Sequence, residues 1–345
     1  MKSIKREETD RIFIRTDMNK IIATGHVMRC LSIADALKEN GKEPCFLLAD
    51  EQAESLMQSR GYNSIVLHTI WNDMDSEIPA LYSAINEYHI TKILIDSYQV
   101  TQKYLTEVGK RVQIMYMDDL KLFYYPVNAV VCYANYWCKF YDGENDAYTF
   151  LLLGTKYAPL RKAFWNCKPK EITARADKLI LLSGGTDPYD FLGQMLMLLD
   201  LRRLEHIDVI CGRYYPYYEM LSEKYKDNQN VCIYKAVSDI EIYMKKADIA
   251  VSAGGTTLYE LCACGTPTIS YSFADNQLDN VKQFASDGLI DYAGDLRYEN
   301  VSKKVIKLIE QYQKNLELRK QRSQEMQKLV DGKGAIRLAQ KLVEL

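Results

Sequence analysis

Residues 12–40 read IFIRTDMNKIIATGHVMRCLSIADALKEN. A short apolar run at 12–15 is followed by a loop that contains Gly25, and apolar residues then recur at helical spacing from Val27 to Leu37. This is the pattern of a buried strand, a glycine turn and an amphipathic helix. The same alternation continues along the chain, so this stretch is the first of a series of strand–helix units.

Short apolar runs alternate with amphipathic stretches as far as about residue 154. The alternation predicts an α/β fold with a mostly parallel sheet that is covered by helices on both faces. The predicted strands of this first half are 12–15, 44–49, 64–68, 92–96, 113–118, 129–133 and 149–153.

The rhythm breaks at residues 159–178, which are polar and contain Pro159 and Pro169, and we place a linker there. Residues 301–345 read as charged amphipathic helices. We therefore predict two doubly wound, Rossmann-like domains, 11–165 and 175–345, facing a ligand cleft at the carboxyl ends of both sheets. The predicted strands of the second half are 178–183, 207–211, 231–234, 249–252 and 268–271.

Composition excludes several classes of protein. A net charge of −2 over 345 residues argues against a broad nucleic-acid surface. The nine cysteines have no framework or zinc-site spacing, which predicts free thiols in a reducing compartment. We expect no metal and no cofactor. Residues 1–11 lack the apolar core of a signal peptide, and no apolar run approaches the ~18 residues of a membrane span. We expect a cytoplasmic protein, and the oligomeric state stays open.

His26 is the first candidate catalytic residue. It follows Gly25 at the carboxyl end of the first predicted strand, and Arg29 lies one helical turn further on the same face. The positive end of the helix favours a neutral imidazole, which suits a general base. A helix cap or a hydrogen bond to a carbonyl would be the structural alternative. The remaining histidines lack such a context and are interpreted as structural: His68, His89 and His206.

Two more glycine loops follow predicted strands of the second half. Residues 183–187 read SGGTD and precede a helix that we expect to begin near Pro188, and residues 252–257 read SAGGTT. Amides and hydroxyls at a helix N-terminus bind phosphate oxygens. Neither loop is a Walker loop or a dinucleotide fingerprint. Glu260, four residues after Thr256, is suited to a ribose diol, or is simply a glutamate favoured by the helix dipole.

Together these pieces resemble a known family, the UDP-2,4-diacetamido-2,4,6-trideoxy-β-L-altropyranose hydrolases of pseudaminic acid synthesis and the related spore-coat polysaccharide proteins. That family has the glycosyltransferase-B fold and is similar to the N-acetylglucosaminyltransferase of peptidoglycan synthesis. The pieces that carry the resemblance are RTD at 15–17, GHVMRCL at 25–31, DSY at 96–98, MDD at 117–119, GGTD at 184–187, SAGGTTLYE at 252–260, GTP at 265–267 and NQ at 276–277.

The resemblance implies an inverting, metal-independent hydrolase that releases UDP from a UDP-linked deoxy-acetamido sugar, in nonulosonic acid or surface polysaccharide synthesis. His26 would activate water, Asp17 or Asp96 would orient its imidazole, and Tyr98 would bond to the sugar. The expected substrate-binding residues are Gly25, Arg29, Asp96, Gly184, Gly185, Gly254, Gly255, Thr256, Thr257, Glu260, Asn276 and Gln277.

Two other functions remain open at this point. A glycosyltransferase would use the same UDP-sugar site and pass the sugar to an acceptor hydroxyl. A non-catalytic sugar-nucleotide binding subunit would need no base. The pair Asp118–Asp119 is the kind of acidic motif that binds a metal in another glycosyltransferase fold, but we expect it to border the sugar pocket or to cap the next segment.

Overall fold

A computed structural model describes residues 11–22, 24–141 and 149–345 of the chain. These residues form two compact units. The first unit contains the described residues up to Lys162 together with Lys333–Leu345, and the second unit is Ala163–Gly332. No helix of the described residues is long and apolar enough to cross a membrane.

The first unit contains a seven-stranded sheet in which every recorded pairing is parallel. Its strands are β1 (Arg11–Thr16), β2 (Glu43–Leu48), β3 (Asn63–Val66), β4 (Lys92–Asp96), β5 (Gln113–Met117), β6 (Ala129–Cys132) and β7 (Phe150–Leu153). Their spatial order is β3-β2-β1-β4-β5-β6-β7, so the direction of winding reverses between β1 and β4. The helices between them are α1 (Gly25–Glu39), α2 (Glu54–Ser59), α3 (Met74–Tyr88), α4 (Gln102–Gly109) and α5 (Cys138–Tyr141).

The central strand β1 shows why this sequence forms a covered parallel sheet. Ile12, Phe13 and Ile14 are each at most 1% exposed, as expected for consecutive side chains that point to opposite, equally covered faces. Arg15 follows them and is also completely buried. Its guanidinium binds Glu77 of α3 through two hydrogen bonds of 2.8 and 2.5 Å. This pair fixes α3 to the sheet, because a buried charge is tolerated only when it is paired.

The second unit contains a six-stranded parallel sheet of the same type. Its strands are β8 (Lys178–Leu182), β9 (His206–Cys211), β10 (Val231–Lys235), β11 (Ile249–Ala253), β12 (Thr268–Ser272) and β13 (Asp291–Asp295). Their order is β10-β9-β8-β11-β12-β13, with the reversal between β8 and β11. The helices are α6 (Phe191–Leu198), α7 (Tyr218–Tyr225), α8 (Ile240–Lys246), α9 (Thr257–Cys264), α10 (Asp275–Ser286), α11 (Val301–Lys314) and α12 (Leu316–Leu329).

The structure confirms the prediction of two doubly wound, Rossmann-like α/β domains, and it adds one strand. The segment of β13 reads DYAGD, which is too polar to be recognised as a strand by an apolar run. It is nevertheless an edge strand paired with β12 in parallel, and its Ala293 is fully buried.

The last helix, α13 (Gly334–Glu344), packs with the first unit, whereas the sequence placed it in the second domain. Its buried side chains include Leu338 and Leu342, and Arg337 donates a 2.9 Å hydrogen bond to the backbone oxygen of Lys156. An amphipathic helix shows that one face is buried but not which core covers that face. The sequence therefore assigned α13 to the domain that precedes it in the chain.

Removal of residues 333–345 should destabilise the first unit selectively. The helix buries several apolar side chains, each worth roughly 1.5–3 kcal/mol. Hydrogen exchange by mass spectrometry should show amides of α1 and β2 exchanging more than about tenfold faster in the truncated chain. Amides of β8 and β11 serve as the internal control and should not change. Equal acceleration in both sheets would contradict the assignment of α13 to the first unit.

Candidate functional site

The first candidate site lies at the carboxyl end of β1 and β4, where the winding of the first sheet reverses. Such reversal points are where doubly wound folds bind ligands. His26 is the second residue of α1, the helix that follows β1, and Asp96 is the last residue of β4. Thr16, at the end of β1, pairs in register with Asp96. The fold therefore brings the two predicted residues together from positions 70 residues apart.

His26, Arg29 and Asp96 form one buried cluster. The Nδ1 atom of His26 lies 2.7 Å from Oδ1 of Asp96. The guanidinium of Arg29 donates to both oxygens of the same carboxylate, at 2.6 Å from Nε and 2.5 Å from Nη2. Asp96 is 1% exposed and His26 is 7% exposed. Arg29 and Asp96 thus form a bidentate, charge-assisted ion pair, and one oxygen of the carboxylate also binds the imidazole of His26.

The chemistry of the cluster fixes the tautomer of His26. An ionised carboxylate only accepts hydrogen bonds, so Nδ1 carries the proton that it donates to Asp96. The 3.1 Å approach of Arg29 Nη2 to the same nitrogen is then a contact between two donors and not a hydrogen bond. Among the described residues, none is recorded as a partner of Nε2. In the neutral ring this nitrogen holds a lone pair and can accept a proton.

Asp96 stays ionised because Arg29 offsets its burial. Burial alone would raise the pKa of this carboxyl, but the charge and hydrogen bonds of Arg29, together with the hydrogen bond from His26, lower its pKa to about 2. The orienting carboxylate is therefore charged throughout the physiological range.

Tyr98 lies against His26 on the side of a small pocket. The two rings meet edge to face with centroids 4.6 Å apart. The hydroxyl of Tyr98 donates to Oδ2 of Asp119 at 2.7 Å, and Arg29 Nη1 lies 3.6 Å from that same oxygen. The residues that line the pocket are Asp17, Ile22, His26, Trp71, Asp96, Ser97, Tyr98 and Gln99.

The other predicted acids of the first domain have different partners. Asp17 lines the same pocket, but its carboxylate binds Arg15 at 2.5 Å and accepts the amide of Ala49 at 2.8 Å, so Asp96 and not Asp17 holds His26. Asp118 accepts the hydroxyls of Tyr125 and Tyr141 and the amide of Lys121. It thus organises the segment that follows β5, while Asp119 contacts Tyr98.

The second candidate site is the loop between β11 and α9. Thr256 at the helix cap makes no side-chain capping hydrogen bond, and in the described part of the chain no backbone acceptor is recorded for the amides of Gly255, Thr256 and Thr257. A Cβ on Gly255 would meet nothing within 4 Å, so space beside the loop is open. Free amides and the positive end of a helix form a site for phosphate oxygens.

Asn280 of α10 holds this loop in place, and sequence reasoning missed it. Its side-chain amide donates to the backbone oxygens of Gly254 and Gly255 at 3.0 and 3.2 Å. The hydroxyl of Tyr259 donates to the other end of the same side chain at 3.0 Å. The one available signal is a polar residue on the buried face of α10, beside Val281. A Cβ on Gly254 would lie 2.0 Å from Val281, so close packing requires glycine there.

The other glycine loop, Gly184-Gly185, has a different organisation from the predicted one. The helix α6 begins at Phe191 and not near Pro188. The buried carboxylate of Asp187 accepts the amides of Phe191 and Leu192 at 2.9 and 3.0 Å, so two amides at the start of α6 are already paired. Gly184 has φ +75°, a conformation that favours glycine. The positive φ of Gly184 explains the glycine at this turn. The first amides of α6 are already paired with Asp187.

The remaining predicted residues lie on three helices, with Glu260 on α9, Asn276 and Gln277 on α10, and Gly25 on α1. Glu260 is in the first turn of α9 and is partly exposed. Asn276 is exposed in the first turn of α10, whereas Gln277 accepts the amide of Phe273 at 3.0 Å and so shapes the turn after β12. Gly25 is the first residue of α1, with open space where a Cβ would be.

Comparison with known proteins assigns the fold. MurG of Acinetobacter baumannii superimposes with a TM-score of 0.71 over 97% of this chain and 99% of its own, at 11% identity. HepE of Anabaena, solved with UDP and glucose, superimposes with a TM-score of 0.59 over 97% of this chain and all of its own, at 14% identity. The chain has the glycosyltransferase-B fold.

Sequence comparisons find similarity to proteins of sugar transfer and of polysaccharide synthesis. Residues 176–328 match the family model of glycosyl transferases group 1. The spore coat polysaccharide biosynthesis protein SpsG of Bacillus subtilis is 24% identical over 93% of this chain and 94% of its own length. An uncharacterized protein of Methanocaldococcus jannaschii is 25% identical over 75% of this chain, which spans 55% of that relative's length.

These findings overturn the prediction of a UDP-sugar hydrolase. The family model matched by the second domain is one of transferases. The relative from Campylobacter fetus is a UDP-N-acetylglucosamine–N-acetylmuramyl-(pentapeptide) pyrophosphoryl-undecaprenol N-acetylglucosamine transferase, 33% identical over 30% of this chain and 33% of its own. Sequence reasoning chose hydrolysis because the Gly-His-x-x-Arg piece at 25–29 resembles hydrolases. The site itself does not distinguish water from another hydroxyl group.

Replacement of Arg29 by methionine should destabilise the first domain by about 3–5 kcal/mol at pH 7, because it leaves the Asp96 charge buried without its cation. Urea denaturation would measure the difference. Arg60→Met is the matched control: Arg60 pairs with Asp35 at 3.5 Å near the surface and should cost about 1 kcal/mol or less. Equal effects of the two changes would contradict the role of Arg29.

The same variant gives a prediction for pH. Because the folded-state pKa of Asp96 is lowered to about 2, its contribution to stability is present above the usual carboxyl range and is lost as the pH falls through that value. The stability difference between the wild type and Arg29→Met should therefore shrink as the pH is lowered from about 4 to about 2. A difference that stays constant over this range would show that Asp96 is not the group concerned.

Proposed function

We propose that this chain is a glycosyltransferase that moves a sugar from a UDP-linked donor to a hydroxyl group of an acceptor. The observation that carries the proposal is the match of residues 176–328 to glycosyl transferases group 1, since this range contains the uncapped α9 loop and Glu260. The first domain contributes His26, which acts as the general base of the reaction.

The second domain binds the UDP part of the donor in this proposal. The free amides of Gly255, Thr256 and Thr257 receive diphosphate oxygens, and the N-terminus of α9 stabilises the negative charge that grows on UDP as it leaves. Glu260, one turn further along α9, accepts hydrogen bonds from the ribose hydroxyls. The structures of HepE with UDP and glucose support this choice of nucleotide through the shared fold.

The first domain supplies the base. Nε2 of His26 takes the proton of the acceptor hydroxyl as its oxygen bonds to the anomeric carbon, and the bond from that carbon to the diphosphate oxygen breaks. Asp96 stabilises the imidazolium that forms, and Arg29 keeps Asp96 ionised. Tyr98, whose ring touches that of His26, contacts the transferred sugar.

The substrate class follows from the same comparisons. A UDP-hexose or UDP-N-acetylhexosamine is the proposed donor, and the relative in spore coat polysaccharide biosynthesis supports a glycan acceptor. Surface polysaccharide synthesis is therefore the process that we propose for this chain.

The decisive assay supplies UDP-glucose and UDP-N-acetylglucosamine with and without a mixture of neutral and amino-sugar oligosaccharides. We expect UDP release that depends on the oligosaccharide, and a product heavier than the acceptor by one sugar residue in mass spectrometry. Release of UDP at the same rate without an acceptor, with the sugar recovered free, would contradict transfer.

Glu260→Ala should weaken UDP binding by about tenfold or more, because lost hydrogen bonds to a charged group cost roughly 1.5–3 kcal/mol. Titration calorimetry with UDP measures this affinity directly. Glu310→Ala, which removes an exposed glutamate of α11, is the control and should bind UDP as the wild type does. Unchanged affinity in Glu260→Ala would remove Glu260 from the site.

His26→Gln should lower turnover by at least about a hundredfold while UDP affinity stays within about twofold, because general base catalysis contributes roughly 10²–10⁴-fold. His68→Gln is the control, since that side chain is 74% exposed and pairs with Glu51. A folded His26→Gln protein that keeps most of its transfer rate would exclude His26 as the base.

A further inference from the structure

A second cluster of reactive side chains lies on β9 and β10 of the second sheet, away from β11, which the α9 loop follows. His206 and Asp208 are the first and third residues of β9, so both side chains point to one face. Cys232 of β10 pairs in parallel register with Asp208, which brings its side chain to the same face. The cluster lies toward the amino ends of these strands, whereas the glycine loops follow the carboxyl ends of β8 and β11.

The three ligand atoms are close enough to share one ion. Nε2 of His206 lies 2.8 Å from Oδ1 of Asp208, and these two atoms and Sγ of Cys232 all lie within 4.8 Å of one another. Tetrahedral zinc at bond lengths of about 2.0–2.3 Å needs its ligand atoms roughly 3.3–3.7 Å apart. Small side-chain rotations, which open the nitrogen–oxygen distance by about half an ångström, would therefore create the site.

The burial of the three residues suits a cation whose fourth coordination position stays accessible. Asp208 is 3% exposed, while His206 and Cys232 are partly exposed. The Cys232 thiol lies beside this pair and is also hydrogen-bonded to the hydroxyl of Tyr234 on the same strand. Imidazole, carboxylate and thiolate are the three ligand types that zinc takes from proteins, and three protein ligands leave a position for water.

We propose that His206, Asp208 and Cys232 bind a zinc ion that ties the edge strand β10 to its neighbour β9. On binding, the thiol of Cys232 loses its proton to solvent and its sulfur bonds to the metal. The neutral imidazole of His206 gives the lone pair of Nε2 and keeps its proton on Nδ1, and no group changes oxidation state. The ion stabilises the second domain and takes no part in sugar transfer.

The test uses the full chain, stripped of metal by a chelator, with cobalt as a spectroscopic probe for zinc. We expect one equivalent of Co²⁺ to bind with a thiolate-to-metal charge-transfer band in the near ultraviolet, and Zn²⁺ to displace it. Cys232→Ser should lose this band and bind at least about tenfold more weakly. Cys138→Ser, which changes an exposed free cysteine, is the matched control and should behave as the wild type.

Two further readouts keep the proposal falsifiable. Zn²⁺ should raise the melting temperature of the wild type but not that of His206→Gln or Asp208→Asn, and UDP affinity should be the same in all these proteins. If Cys232→Ser does not fold, His206→Gln and Asp208→Asn provide the same test. Retention of the charge-transfer band in Cys232→Ser, or equal zinc stabilisation of wild type and His206→Gln, would overturn the proposal and leave His206 and Asp208 as an ion pair only.

Discussion

The first domain depends on one buried negative charge. Asp96 ends β4 with its carboxylate almost entirely out of water, a position that is costly for any ion without partners. Arg29, one helical turn into α1, meets both of its oxygens, and Tyr133, which follows β6, lies 3.2 Å from the same guanidinium. The charge therefore ties α1 to the centre of the sheet. The same carboxylate holds His26, so the group that stabilises the strand ends also orients the candidate base.

The sequence predicted the central elements of the fold and the first site for a physical reason. In a doubly wound sheet the strands on either side of the reversal point end at the same edge, so a glycine turn after β1 and a polar triplet after β4 must be neighbours. The positions of His26 and Arg29 follow from that rule, whereas the family resemblance supplied Asp96 as a candidate. The rule does not say which acid contacts the imidazole, and Asp17 was an equal candidate until its bonds to Arg15 and Ala49 were seen.

Other features depended on contacts that chain order does not reveal. Asp187 lies in a loop that reads like a phosphate site, but its carboxylate folds back onto the start of α6. Asn280 reaches the α9 loop from a separate helix, and α13 follows the second unit in the chain but belongs to the first. His206, Asp208 and Cys232 lie on two different strands, so the spacing of zinc ligands along the chain does not reveal this group.

The residues around His26 also do not distinguish hydrolysis from transfer. A base that removes a proton from water removes one equally well from an acceptor hydroxyl, so the residues around His26 are compatible with both reactions. The family match of the second domain favours transfer. In both reactions the requirement on the first domain is the same, namely that Nε2 of His26 is unprotonated and that Nδ1 is bound to Asp96.

Nitrogen NMR of the protein labelled at histidine tests that requirement most directly, because the chemical shifts of the two ring nitrogens report the tautomer. His26→Gln identifies the His26 signals among those of the four histidines. In the neutral ring we predict the proton on Nδ1 and a lone pair on Nε2, and a loss of this single tautomer in Asp96→Asn. A proton on Nε2 in the wild type, or an unchanged tautomer in Asp96→Asn, would contradict the account.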